Sequence, residues 1–398
     1  SYPVGYGSAY TTAYDGPTYN LISNVYSTPL NYNNTTAAYF TDNLYDEIKP
    51  ASRTNIEAGF EIRFLKNRLS IEPTIFQYID GPQIFRNPIS QTTGYSGIFI
   101  NAAKYATNGA EVVIAGTPIM KKNFTWDVNF NWAAYKQTYA ELPGGADSIQ
   151  VGALYLKKGD RLDVYQAGDF ARTSDGKMIN DAGGRPIVLP KAQRLGYSAP
   201  DWSWGFINKF KYKSVFMTIQ FDGRVGGTMQ NYIRKQTFRG GRHIETIEGA
   251  LGTARYQDTK GIKSYVGEGV KIVAGTPVYD AVTGKLTNEK SLTFAPNDIK
   301  TYAQDYISRY YGQDGGNLID KSFSKLREIT IGFAFPESMI KKTVFRSANI
   351  SFVGRNLFYF QEKQNKDVDL DQYAGTQTST SLQTPTVRRF GLNINLVF

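Results

Sequence analysis

The sequence predicts an all-β fold, a transmembrane antiparallel β-barrel with long extracellular loops, and three observations carry that prediction. Nine segments alternate apolar and polar residues with period two, the signature of a strand with one oily and one wet face. The connections between them alternate between short and long, as in outer-membrane barrels, whose periplasmic turns are tight and whose extracellular loops are extended. No stretch of about 18 consecutive apolar residues occurs, which excludes a transmembrane helix but not membrane strands. Composition agrees: of 398 residues 28 are Tyr and 24 Phe, yet hydrophobic residues total only 41% and the mean hydropathy is −0.38. Apolar residues are therefore numerous but dispersed, as alternation requires.

Taken in order, residues 1–52, rich in Tyr, Asn and Thr, read as an extracellular loop region leading into the barrel, and residues 53–398 as the barrel strands and their loops. The first strand sets Ile56, Ala58, Phe60, Ile62 and Phe64 against Asn55, Glu57, Gly59, Glu61 and Arg63. The clearest sets Phe124, Trp126, Val128, Phe130 and Trp132 against Thr125, Asp127, Asn129 and Asn131. The last sets Phe390, Leu392, Ile394, Leu396 and Phe398 against Arg389, Gly391, Asn393 and Asn395. Similar patterns occupy 69–79, 106–114, 202–212, 215–221, 327–335 and 348–358. With Phe398 in the periplasm, the short connections at 65–68, 117–123, 213–214 and 336–343 all fall on that side. The long ones, 81–105, 139–201, 224–325 and 361–385, then fall outside. A soluble β-sandwich shows the same alternation, and the connection parity is what favours the barrel. An open membrane sheet would leave edge amides and carbonyls unpaired in hydrocarbon, at several kcal/mol each, so more barrel is expected before Ser1. Trp202, Trp204, Tyr212, Phe358 and Phe360, near strand ends, suit the headgroup level, although such rings are also good strand formers.

Several function classes drop out. Without cysteine there is no disulfide, thiolate chemistry or cysteine zinc site, and a single histidine, His243, makes a histidine metal cluster or a conventional triad improbable. The net charge of +10 is spread among Asp and Glu rather than gathered on one face, which argues against nucleic acid. No Ser-His-Asp order, HExxH or phosphate loop occurs, so no enzyme is expected. The amino terminus has neither a basic nor an apolar targeting region, so either a signal was removed or the chain is internal to a longer one.

An ordered series of motifs carries a family resemblance. It runs through Asn67-Arg68-Leu69-Ser70, Asn108-Gly109-Ala110-Glu111-Val112 with Asn123-Phe124-Thr125-Trp126, Leu195-Gly196-Tyr197-Ser198-Ala199-Pro200-Asp201, and Asp222-Gly223-Arg224-Val225-Gly226-Gly227. It ends in Leu326-Arg327-Glu328-Ile329-Thr330-Ile331-Gly332-Phe333, Val353-Gly354-Arg355-Asn356-Leu357-Phe358 and the terminal aromatic strand. In this order, over roughly residues 45–398, the chain resembles the C-terminal barrel half of SusC/RagA-type TonB-dependent outer-membrane transporters. The resemblance implies the C-terminal part of a roughly 22-stranded barrel, integral to the cell outer membrane in contact with lipid and lipopolysaccharide. It also implies a plug and TonB box before Ser1, coupling to TonB, and import of a glycan or peptide captured by a SusD-like surface lipoprotein. A passive porin or structural barrel is the rival reading, and it predicts no plug.

Candidate sites follow. Glu57, Glu61, Arg63, Asp127, Asn129, Asn131, Arg389, Asn393 and Asn395 occupy the polar faces and are expected to face the lumen, and Phe398 resembles the aromatic end read by outer-membrane assembly machinery. Asp367, Asp369 and Asp371 have the alternate spacing of a calcium loop, but Gln372 and Thr378 stand where an EF-hand needs Gly and Glu, so a solvated loop is favoured and no cofactor is expected. Arg234, Lys235, Arg239, Arg242 and His243, with Tyr232 and Phe238 between them, form a basic cluster suited to phosphates, an acidic substrate or a partner, though ordinary loop is favoured. Tyrosines in 302–311 offer rings on which sugars could stack, though an ordinary Tyr-rich external loop is favoured. By period two, Arg355 and Asn356 point to opposite faces of their strand.

Overall fold

The computed structural model describes residues 26–32, 35–40, 43–45, 50–93, 95, 97–151, 154–380, 384 and 386–398. Most of the expected loop region 1–52 lies outside them. The chain forms two compact units: residues 1–60, 73–111 and 135–162 make the first, and 61–72, 112–134 and 163–398 the second. Among the described residues no helix is long and apolar enough to cross a membrane.

The nine alternating segments are strands: β1 (Ser52–Gly59) continuing as β2 (Ile62–Phe64), β3 (Leu69–Pro88), β4 (Gly97–Lys121), β5 (Phe124–Glu141), β6 (Trp202–Tyr212), β7 (Val215–Val225), β8 (Phe323–Ala334), β9 (Ser347–Gln361) and β10 (Arg389–Val397). In the second unit they hydrogen-bond in the order β10-β9-β8-β7-β6-β5-β4-β3, with β2 on β3; the first unit holds the order β5-β4-β3-β1. Every pair of sequence neighbours is a spatial neighbour, an antiparallel meander. The connection expected over 81–105 is shorter than alternation alone suggests, because β3 runs on to Pro88 and β4 resumes at Gly97.

Register sorts the side chains as period two demands. Trp132 faces Trp204, Phe130 faces Phe206 and Trp126 faces Phe210 on one side of β5 and β6; on the other, Asp127 opposes Lys209 and Asn131 opposes Gly205. One polar residue interrupts the apolar side, Asn208, whose Oδ1 accepts from the Trp126 indole at 3.2 Å. On β9 and β10, Asn349 opposes Asn395 and Ser351 opposes Asn393, while Phe352 opposes Leu392 and Ile350 opposes Ile394. The apolar side is bare: Phe352 is 52% exposed and Leu392 66%. A soluble sheet would bury that side; about 25 cal/mol per Å² of apolar surface left in water would be lost here unless lipid covers it.

The short turns are locally built. Leu65, Lys66 and Asn67 take positive φ of 52°, 59° and 65° to reverse the chain between β2 and β3. The Arg68 guanidinium then donates to the Thr117 and Pro118 carbonyls at 2.7 Å each, clasping this turn to the next. Lys213, at φ 53°, closes the two-residue turn between β6 and β7.

The long connections are folded rather than open loops. In the first unit, Ala103, Tyr105, Tyr139 and Leu142 form a small core with Ile149, Leu156 and Leu162. In the second, residues 224–325 contain α1 (Tyr232–Arg239), α2 (Gly249–Asp258) and α3 (Ala303–Tyr310). A core of Ala171, Ile179 and Val270 is packed by Ile187, Ile272 and Phe294. Asn231 caps α1, its Oδ1 accepting from the Arg234 N–H at 2.9 Å. Asp258 caps α3 from outside, accepting from the Ala303 and Gln304 amides at 3.1 and 2.9 Å.

Candidate functional site

The polar faces of β7, β8 and β9 meet in a row of charge. Asp222 of β7 lies directly opposite Lys325 of β8, and Lys325 directly opposite Tyr359 of β9. That alignment depends on an irregularity: Gln220 pairs with Glu328 but its neighbour Phe221 with Leu326, so Arg327 is an extra residue on β8. A one-residue bulge reverses the facing of everything beyond it, and this one brings Lys325 onto the same side as Glu328. A second slip follows on β9, where Glu328 pairs with Arg355 and Leu326 with Phe358. Asn356, at φ 56°, sits in that slip and donates to the Val387 carbonyl at 3.2 Å. Arg355 donates to Glu328 at 2.8 Å. Strict alternation between Arg355 and Asn356 therefore gives way to a bulge, a device that sequence periodicity does not reveal.

Residues 362–373 fold onto this row. Val368, Leu370 and Tyr373 enter a core with Met229, Ile319 and Phe323. Asp371 accepts from Arg327 Nη1 at 2.6 Å, from Arg327 Nη2 at 3.1 Å and from Lys325 Nζ at 3.2 Å. Arg327 also donates to Asp222 through Nε at 2.9 Å and through Nη2. Lys325 is wholly buried and lies 4.5 Å from the Tyr359 ring centre; the Tyr359 hydroxyl donates to Asp369. Burial alone would raise the Asp371 carboxyl, but the Arg327 hydrogen bonds and the charges of Arg327 and Lys325 outweigh it and hold the group at about 2. Asp371 thus serves as the counter-charge, Asp369 accepts the Tyr359 hydroxyl, Asp367 stays exposed, and among the described residues no three metal-ligating side chains converge. The alternate spacing has a packing origin: Val368 and Leu370 point into the core and the carboxylates away from it.

A buried lysine ties the connections further. Lys321 Nζ donates to the Ser198 and Gly375 carbonyls at 2.8 and 2.7 Å. Burial lowers its ammonium to about 8.

The other candidates are scattered along the sheet. Asp127 and Asn129 line a cavity of about 290 Å³ with Asn67, Arg68 and Lys209, and Asp127 accepts from Thr117 Oγ1 at 2.6 Å. Glu57 shares its face with Phe76 across β1 and β3; Glu61 pairs with Arg63 at 2.5 Å. Arg389 opposes Arg355, whose charge Glu328 balances. The Phe398 ring lies 5.1 Å from Phe345. The basic cluster is divided: Lys235 pairs with Asp314 at 2.8 Å, Arg234 pairs with Glu245 at 3.0 Å and lies over Phe238, and Arg239 and Arg242 are exposed. His243 stacks on Phe238 at 4.3 Å, and burial lowers its pKa.

The fold defines the class: this is part of a transmembrane antiparallel β-barrel. No family model matches the chain. Two curated proteins of Formosa agariphila are similar to it. TonB-dependent receptor P3 is 23% identical over 393 residues, 90% of this chain and 35% of that protein. TonB-dependent receptor P39 is 21% identical over 399 residues, 85% of this chain and 35% of that protein. The chain spans about a third of the length of these relatives. Among solved structures, the RagAB peptide transporter shares the fold with a TM-score of 0.61 at 15% identity, over 94% of this chain and 38% of the other. The RagAB peptide importer in its open-open state reaches 0.65 at the same identity and coverage. These likenesses bear out the resemblance to SusC/RagA-type TonB-dependent receptors that the sequence motifs carry.

Proposed function

We propose that the protein imports a nutrient, a glycan or a peptide, across the outer membrane in a TonB-dependent manner, with a SusD-like surface lipoprotein capturing the substrate. The observation that carries the reading is the likeness to TonB-dependent receptors along 90% of the chain. The geometry supports it: the polar sides of the strands carry ordered charge and the long connections are folded bodies, suited to holding a substrate above a pathway. In this reading the polar side lines the lumen, the apolar side meets lipid, and TonB acts through a region outside this sequence. Deleting the gene should abolish uptake of the solute on which the host grows, and collapsing the inner-membrane proton gradient should do the same. Uptake that survives loss of the gradient would leave a passive barrel instead.

A further inference from the structure

Within the second unit lies a cavity of about 460 Å³ whose wall contains four tyrosines, Tyr265, Tyr306, Tyr310 and Tyr311. Their ring faces are largely taken. Tyr310 is stacked between Phe170 at 5.4 Å and Tyr306 at 5.9 Å, Tyr311 lies on Phe238 at 4.0 Å, and Tyr265 tilts against Tyr306 at 4.9 Å. Gly267 lets the Tyr306 ring rest on the backbone, since a Cβ there would come within 2.1 Å of it. The ring faces that could stack on a sugar over 302–311 are thus mostly used up internally.

The hydroxyls are another matter. Among the described residues none of the four makes a hydrogen bond, although Tyr306 is only 7% exposed. None of the four hydroxyls is a fully buried atom, so each reaches open space, and the cavity they line provides it. Burial raises the pKa of Tyr265, Tyr306 and Tyr311, so they stay protonated.

The charged lining is Arg172, Lys177 and Arg234 with one carboxylate, Glu268, and of the three cations Arg234 is already paired with Glu245 at 3.0 Å. Arg172 is held among the described residues only by the Gly176 carbonyl at 3.3 Å. Lys177 pairs with Asp175, but both are more than half exposed, a pair worth little and easily exchanged. The volume lies in the range of small-molecule sites, about 300–1,000 Å³, and far exceeds the ~30 Å³ share of one water, so an inorganic anion alone would leave it mostly empty.

We propose that this cavity binds a small acidic saccharide, its carboxylate facing Arg172 and Lys177 and its hydroxyls pairing with the four tyrosine hydroxyls. A tyrosine O–H both donates and accepts, as a sugar hydroxyl does, and the Arg172 guanidinium, without a carboxylate partner among the described residues, is left for the acid group. Its biological sense, selection of cargo in the folded connections, rests on the import reading; binding itself does not.

The test is titration of the purified protein in detergent with glucuronate, glucose and an aspartyl-glutamate dipeptide, followed by saturation-transfer NMR. Glucuronate should bind at least about tenfold more tightly than glucose or the dipeptide and weaken with rising salt. Arg172→Gln should weaken it about tenfold, and so should Tyr306→Phe, which keeps the stacked ring; heat-modifiable gel mobility reports that each variant remains folded. No glucuronate binding by the folded protein, equal binding of glucose, tighter binding of the dipeptide, or indifference to both substitutions would overturn the proposal. Failure here leaves the import reading intact, because that stands or falls on gene deletion and gradient collapse.

Discussion

Replacing Asp371 with Asn isolates what holds residues 362–373 on the strand row. The carboxylate takes two hydrogen bonds from Arg327 and one from Lys325. Arg327 keeps Asp222 as a partner, but Lys325, fully buried, loses its only counter-charge among the described residues. Breaking a buried pair by removing one member costs about 3–5 kcal/mol; with Asp371 and Arg327 partly exposed, about 2–3 kcal/mol is the fair figure. Its carboxyl, held at about 2 rather than 3.8, points to about 2 kcal/mol independently. At about 1.4 kcal/mol per factor of ten, amide hydrogen exchange in 362–373 should speed up roughly 30- to 140-fold while the strand amides of β6 and β7 keep their rates. Asp367→Asn, at an exposed carboxyl, should change nothing. The pH dependence has a fixed sign: a lowered carboxyl stabilises the closed segment above the ordinary carboxylate range, and that contribution is lost as pH falls from about 4 to about 2. Unchanged exchange in Asp371→Asn would refute the role given to this ion cluster.

Three further outcomes are expected. Lys321→Met strips the donor from the Ser198 and Gly375 carbonyls and should loosen both segments by about 2 kcal/mol in hydrogen exchange. In the unaltered protein the same contact should tighten as pH rises from about 8 to 10.5, because there the open form binds the proton that the buried amine has released. Gly332→Val places a side chain about 2.2 Å from the Phe216 ring; overpacking of about 1–3 kcal/mol should lower the yield of the heat-modifiable folded form, and adding Phe216→Ala should restore it.

The strands were legible because each presents two chemically different faces, and alternation in residues such as Phe124 to Trp132 reports that directly. The long connections were not, since their small cores draw on irregularly spaced residues: nothing in the spacing of Ala171, Ile179 and Val270 announces contact between them. The bulge at Arg327 was equally hidden, because one extra residue leaves both flanking patterns intact and only their relative register changes. Nothing in the sequence marks Lys321 and Lys325 as buried, since lysines usually lie at the surface; for Lys325 a clue existed in the acidic run at 367–371, whose Asp371 supplies its counter-charge. The alternate spacing of its carboxylates also follows from packing, because Val368 and Leu370 between them enter a core.

The central claim is that the strands stand in a membrane with their apolar side toward lipid. The chain contains no cysteine, so single substitutions report one position at a time. In the outer membrane of whole cells, Leu392→Cys and Ile394→Cys should react with a lipid-soluble maleimide and resist a charged one. Asn393→Cys and Asn395→Cys should do the reverse, an alternation set by the period of the strand. Equal reactivity of all four toward the charged reagent would contradict the account.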